Sequence, residues 1–175
     1  MHQQEILESV AQRVLWLSTR IVDSANRERD TGDGVKVGGH QASSASMVSI
    51  MTALWFSHIN SHDRISVKPH ASPVFHAVEY LLGELDRSYL TQLRKFGGLQ
   101  SYPSRTKDPD RVDFSTGSVG LGAVAPLFAA ATRRYVDAHF GERPHSRFIA
   151  IIGDAELDEG NIWEAIADPA TAGLG

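Results

Sequence analysis

The sequence contains no cysteine. Disulfides, thiolate metal sites and cysteine nucleophiles are therefore excluded. It has no surplus of basic residues: Lys and Arg number 17 against 21 Asp and Glu, and the formal net charge is −4. That balance gives no electrostatic footprint for nucleic acid. No apolar run approaches membrane-spanning length. The opening Met1-His2-Gln3-Gln4-Glu5 has neither the basic region nor the apolar core of a secretory signal, so the cytoplasm is the expected location. Repeats and low-complexity tracts are absent, as are the lysine and glycine spacings of a P-loop or a dinucleotide fingerprint. What is present is ordinary for a globular protein: 42% hydrophobic and 22% charged residues over 175 positions, enough for one domain with a real core.

Apolar residues Ile6, Val10, Val14, Leu15, Leu17, Ile21 and Val22 recur at helical spacing and predict a helix over Glu5–Ala25. Thr31-Gly32-Asp33-Gly34 and Gly38-Gly39 then form a loop of small residues. A second helix, capped by Ser43 or Ser44, is expected to run toward His58. Arg64–Lys68 reads as a strand, followed by Pro69-His70-Ala71-Ser72-Pro73 and a helix that ends at Gly83. Tyr89–Phe96 reads as a short helix. The polar loop from Gly97 to Asp110 is long enough to point to function. Ser115-Thr116-Gly117-Ser118-Val119-Gly120-Leu121-Gly122 is a second Gly-rich turn, feeding a helix from Ala123 to about Phe140. Such a turn leaves backbone N–H groups open to an anion.

Ile149–Ile152 has the composition of a strand buried on both faces, and it stops at Gly153-Asp154. An acidic cluster of Asp154, Glu156, Asp158 and Glu159 follows, then a helix from Asn161 to Ile166. A carboxylate at the carboxyl end of a parallel strand suits a hard cation carrying a phosphate ligand. The alternative for Asp154 is an acidic helix start that complements the helix dipole. For His40, the alternative is a histidine bonded to a nearby carbonyl. The alternation of elements favours an α/β fold, a parallel sheet with helices on both faces.

Four stretches, in this order, resemble the diphosphate-binding domain of thiamine diphosphate enzymes of the transketolase group. They are Gly38-Gly39-His40, His70-Ala71-Ser72-Pro73, Ser115 to Gly122, and Gly153 to Gly160. Within that group, Lys36 to His40, His70 to Pro73, Leu99-Gln100-Ser101-Tyr102-Pro103 and Ser118 to Gly122 are most similar to the homodimeric decarboxylating component of bacterial pyruvate dehydrogenase. The resemblance covers residues 36–175, with residues 1–35 as a helical lead-in.

The resemblance implies thiamine diphosphate and Mg2+ as cofactors. It makes Asp154 the metal ligand, flanked by Gly153 and Ala155. It places Ser118, Val119, Gly120 and Gly122 beside the cofactor rings. His40 and His70 become catalytic and cofactor-lining residues, with Ser43 a polar neighbour. The family's Gly-Asp-Gly is Gly153-Asp154-Ala155 here, which should be tolerated if φ at Ala155 is negative. The asparagine that completes the family's magnesium site does not follow within the sequence, and Asn161 lies too early to replace it.

The implied activity is decarboxylation of a 2-oxo acid, most simply pyruvate, with the acyl unit passed to a lipoyl acyltransferase. Transketolase-type ketol transfer is the alternative, and a non-catalytic cofactor- or subunit-binding module is a third reading. The chain alone is expected to be inactive. It should need the rest of this domain and a pyrimidine-binding domain, in cis or as another chain, in a homodimer or higher assembly.

Overall fold

The computed structural model describes residues 2–117 and 119–174. The chain divides into two compact units, one of Met1–Ile59 with Pro69–Val112 and the other of Asn60–Lys68 with Asp113–Gly175.

The first unit is helical. Helix α1 spans Gln3–Arg27. Of its predicted stripe, Val14, Leu17, Ile21 and Val22 are buried against the helices packed on it, whereas Ile6 and Leu15 are exposed. Its start is fixed by the Glu5 carboxylate, which accepts the His2 backbone N–H at 2.9 Å. The expected long second helix is broken. Helix α2 covers only Gln41–Ala45 and α3 Val48–Ala53, running into a wide π-helical turn at Leu54–His58. The break has a local cause. Ser46 Oγ donates to the Ser43 carbonyl at 2.8 Å, and the Met47 N–H reaches the Ser44 carbonyl at 3.0 Å, so the serines draw off helical acceptors. Nor does a serine cap the start, because His40 occupies the N-cap position and makes no side-chain cap bond.

Helix α4 spans Ser72–Leu82 and ends at Gly83, whose φ of 84° is left-handed, as the sequence predicts. The expected helix at Tyr89–Phe96 is replaced by a 3-10 turn at Arg87–Thr91 and a reversal. Arg94 N–H bonds Leu99 O at 2.8 Å, and Leu99 N–H bonds Gln92 O at 3.1 Å. Burial of Leu93 draws the chain inward at this point, and the left-handed Arg94 that follows cannot continue a helix.

Beneath the Gly97–Asp110 loop lies a buried polar network that the sequence did not announce. His76 is fully buried; its Nε2 donates to the Gln100 carbonyl at 2.9 Å, and its Nδ1 faces Asp110 Oδ2 at 2.7 Å. Asp108 accepts the Gln100 and Ser104 backbone N–H groups at 2.7 and 2.8 Å, closing the loop on itself. Burial alone would lower the His76 pKa, but the hydrogen bond and charge of Asp110, helped by Asp108, raise it. Burial pushes Asp108 up. Burial, then the charge of Asp110, pushes Glu79 up to about 7.

The second unit holds the sheet. Strands β1, Arg64–Ser66, and β2, Phe148–Ala150, pair in parallel with Ile65 opposite Ile149. Both are shorter than the sequence predicts, although Ile151 N–H adds one more bond to Ser66 O at 2.8 Å. Helix α5, Leu121–Phe140, packs on both strands. A 3-10 turn at Asp154–Asp158 precedes helix α6, Gly160–Ala167. The expected burial of β2 on both faces is not found: Phe148 and Ile149 are half-buried and Ala150 is exposed. Its only strand partner among the described residues is β1. Asp63 bolts the strands together. Its carboxylate accepts the Arg147 backbone N–H at 2.8 Å and the Arg147 guanidinium at 2.6 Å, which holds its pKa well below the usual carboxylate range.

The two units respond to pH in opposite senses. Asp63 contributes stability above its unfolded pKa and loses it only as pH falls toward its low folded value. Glu79, Asp108 and His76 have raised folded pKa values, so their contribution is full at low pH and is lost as pH rises through those values. The first unit should therefore weaken between about pH 5 and about pH 8. Glu79→Gln should remove roughly 3 kcal/mol of that decline in urea titrations. An unchanged pH slope in the variant would show that Glu79 is not the titrating group.

Candidate functional site

The residues singled out in the sequence fall into two groups, one in each unit. In the first unit, His40 and His70 come together, 30 residues apart in sequence numbering, with ring centroids 4.1 Å apart and planes tilted by 41°. His40 enters α2, and His70 sits in the 3-10 turn Pro69–Ala71 ahead of α4. Both imidazoles are exposed. They line a cleft shared with Gly39, Ser72, Ser101 and Tyr102. The long polar loop thus contributes its Ser-Tyr to the same cleft as the histidines. Ser43 is half-buried in α2.

The two glycines before His40 serve protein contacts. Gly38 has φ 94°, and a Cβ there would lie 2.5 Å from the Arg94 guanidinium. Gly39 has φ 122°, and a Cβ there would lie 2.9 Å from Val22. Asn26, near the end of α1, donates to the Gly38 carbonyl at 3.1 Å and accepts the Gly38 N–H at 2.8 Å. The structure shows room for an arginine and a valine, which hold His40 at the cleft.

In the second unit, Asp154 opens the 3-10 turn just past the carboxyl end of β2. Its carboxylate is exposed and makes no ion pair or hydrogen bond among the described residues. Glu156 has a separate job: its Oε2 accepts the Gly153 N–H at 2.7 Å and fixes the turn. Ala155 lies within that turn. Arg94 is the one described non-glycine residue with positive φ, so Ala155 meets the backbone condition for replacing glycine.

Gly120 caps α5 with φ 81°, and Val119 beside it is exposed. Ser118 lies outside the described residues. A Cβ at Gly122 would meet Ser66 Oγ at 3.0 Å and Thr116 Cγ2 at 3.1 Å. Ser66 Oγ and Thr116 Oγ1 are themselves buried without a hydrogen-bond partner among the described residues. Asn161, which the sequence sets aside as a metal ligand, turns its amide toward Gly120.

A diphosphate with a hard cation needs an unengaged carboxylate and a polar turn beside it. Asp154 supplies an exposed carboxylate at the start of the turn past β2. The one cluster of three close metal-type ligands among the described residues is elsewhere, at His76, Asp108 and Asp110. A carbonyl can only accept, so Nε2 carries its proton toward Gln100, while Nδ1 is engaged by Asp110. Both ring nitrogens are thus occupied by protein contacts, and Asp110 Oδ1 is buried with no hydrogen-bond partner among the described residues.

The sequence profile of the 1-deoxy-D-xylulose-5-phosphate synthase family matches residues 27–173. The chain belongs to the thiamine diphosphate-dependent, transketolase-like family. Within it, the chain is 32% identical over 158 residues to the pyruvate dehydrogenase E1 component of Mycolicibacterium smegmatis, covering 83% of this chain and 16% of that protein. It is 33% identical over 159 residues to the transketolase of Homo sapiens, covering 83% and 24%. It is 33% identical over 140 residues to transketolase-like protein 2 of Mus musculus, covering 74% and 21%. The chain therefore spans between about a sixth and a quarter of the length of these relatives. It is a partial α/β diphosphate-binding domain of this family. No helix among the described residues is long and apolar enough to cross a membrane.

The Gly120 turn yields a direct test. A Cβ at Gly120 would fall 2.5 Å from Asn161 Oδ1, on a backbone at positive φ. Gly120→Ala should destabilise the protein by about 1–3 kcal/mol in denaturant titrations. Adding Asn161→Ala should recover part of the loss, because the clash disappears and the backbone strain stays. Equal losses with and without the second substitution would show that Asn161 does not press on the turn.

Proposed function

We propose that this chain is the diphosphate-binding part of an enzyme that decarboxylates a 2-oxo acid, most simply pyruvate, and passes the acyl unit to a lipoyl group on a partner protein. The observation that carries the reading is the pair of imidazoles at 4.1 Å, opening into a cleft with Ser101 and Tyr102. Asp154 would ligate magnesium, which would hold the cofactor diphosphate, with Gly153 and Ala155 forming the turn around it. Ser118, Val119, Gly120 and Gly122 would lie beside the cofactor rings. When bound, the cofactor supplies a carbon nucleophile and an electron sink. His40 and His70 would orient the substrate carbonyl, donate a hydrogen bond to the oxygen that gains charge, and move a proton to or from it. Ser43 would support that pair as a polar neighbour.

The remaining polypeptide of the enzyme, including a pyrimidine-binding domain, would complete the site in a homodimer or higher assembly. Exposed Phe128 and Tyr135 on α5 and Trp163 and Ile166 on α6 offer apolar surface for it. A cytoplasmic location accords with this assignment. Ketol transfer of the transketolase type is the second reading, favoured by an identity to a transketolase (33%) within one point of that to a pyruvate dehydrogenase component (32%).

The test uses the full polypeptide with thiamine diphosphate and Mg2+. Pyruvate with an artificial electron acceptor is offered in one assay, and a ketose phosphate with an aldose acceptor in another. Pyruvate turnover is expected, and His40→Ala and His70→Ala should each lower kcat about 100-fold. Turnover of the sugar alone would replace the first reading with the second.

A further inference from the structure

We propose that Arg94, Lys95 and Lys107 form an oxyanion subsite beside the His40–His70 cleft, taking the phosphate or carboxylate group of a small acidic molecule. A second pocket adjoins that cleft, lined by Arg94, Lys95, Gln100, Ser101 and Lys107 with Phe96 at its edge. Arg94 and Ser101 belong to both cavities. Three cations line the second pocket, and no carboxylate lines either cavity.

Arg94 is held in place at a cost. Its φ of 57° is left-handed, a conformation that disfavours a side chain with a Cβ. Strain of this kind persists where neighbouring structure enforces it, and it gathers at ligand sites. The enforcing contacts are plain. Arg94 N–H bonds Leu99 O at 2.8 Å, Nε donates to Ser101 Oγ at 2.9 Å, and Nη1 donates to Val37 O at 2.7 Å. Gly38 is bare of a side chain where one would strike Nη1.

All these acceptors are neutral, so the guanidinium is fixed without being neutralised. Its Nη2 edge makes no protein hydrogen bond among the described residues, and neither Lys95 nor Lys107 forms an ion pair among them. A pre-oriented guanidinium with a free edge, flanked by two unpaired ammonium groups, is complementary to a planar carboxylate or a phosphate. A purely structural Arg94 would need its two side-chain bonds but would have no use for the lysines. As the handle for a substrate in the adjoining cleft, the subsite rests on the function proposed above. Its capacity to bind an oxyanion does not.

The experiment titrates the full polypeptide, without cofactor, with inorganic phosphate, a pentose phosphate and pyruvate in separate arms. Binding is read by equilibrium dialysis, and hydrogen exchange locates it along residues 94–107. Protection of that segment is expected, with affinity that falls as salt rises. Lys95→Met/Lys107→Met and Arg94→Met should each weaken binding roughly tenfold or more. The two lysines are exposed, so their double variant carries the test even if Arg94→Met fails to fold. Preference for the phosphates identifies a phosphate ester as the source, and preference for pyruvate identifies a 2-oxo acid carboxylate. Binding undiminished in the lysine variant, or no oxyanion binding at all, would overturn the subsite. Thiamine diphosphate binding is measured in parallel: its failure alone removes the proposed function and leaves the subsite standing.

Discussion

The second unit depends on one buried carboxylate. Asp63 precedes β1, and its partner Arg147 precedes β2, so the ion pair brings together two strands from distant parts of the chain. It uses both oxygens, one on the Arg147 backbone and one on its guanidinium, which fixes register as well as proximity. A parallel pair of three-residue strands has few ladder bonds of its own. The opposite edge of β1 is closed by a side chain: Asp113 accepts the Ile65 N–H at 3.0 Å. With register set, Lys68 and Gly153 leave the same end of the sheet, and a Cβ on Gly153 would lie 3.9 Å from the Lys68 side chain. That is the end at which open α/β sheets bind ligands, and Asp154 is the first residue of the turn there.

The first unit reaches its site by another route. Here no sheet aligns the loops, so buried polar groups do it. His76, Asp108 and Asp110 tie the Gly97–Asp110 loop to α4, which also begins two residues after His70. Asn26 ties the Gly38 loop to α1, and Arg94 ties the same loop to Ser101. His76, Asp108, Asn26 and Arg94 each meet backbone atoms that would otherwise lack partners. The cleft around His40 and His70 is thus framed by side-chain-to-backbone bonds rather than by regular structure.

These differences explain what could be read from the sequence. Helix α1, the Gly83 stop on α4, helix α5 and the Gly153-Asp154 turn are carried by local spacing and glycine chemistry, and they stand where expected. The order of the motifs also carried the family. The broken helix after His40, the reversal at Arg94 and the His76 network depend on contacts between residues far apart in sequence, which periodicity does not register. His76 sat in an apolar helical stretch with nothing to mark its partner 34 residues on. The Asp108-Pro109-Asp110 run was visible, but only as a polar loop. Gly38 was noticed for its freedom. What it makes room for, Arg94, lies in a segment that reads as plain helix.

The central claim is that the carboxylate past β2 serves a metal-held diphosphate. The most direct measurement is calorimetric titration of the full polypeptide with thiamine diphosphate, with and without Mg2+, in the native protein and in Asp154→Asn. Magnesium-dependent binding is expected in the native protein, weakened at least roughly 100-fold in the variant, with the thermal midpoint little changed because Asp154 is exposed and has no ion pair among the described residues. Equal affinity in both proteins, or binding indifferent to magnesium, would contradict it.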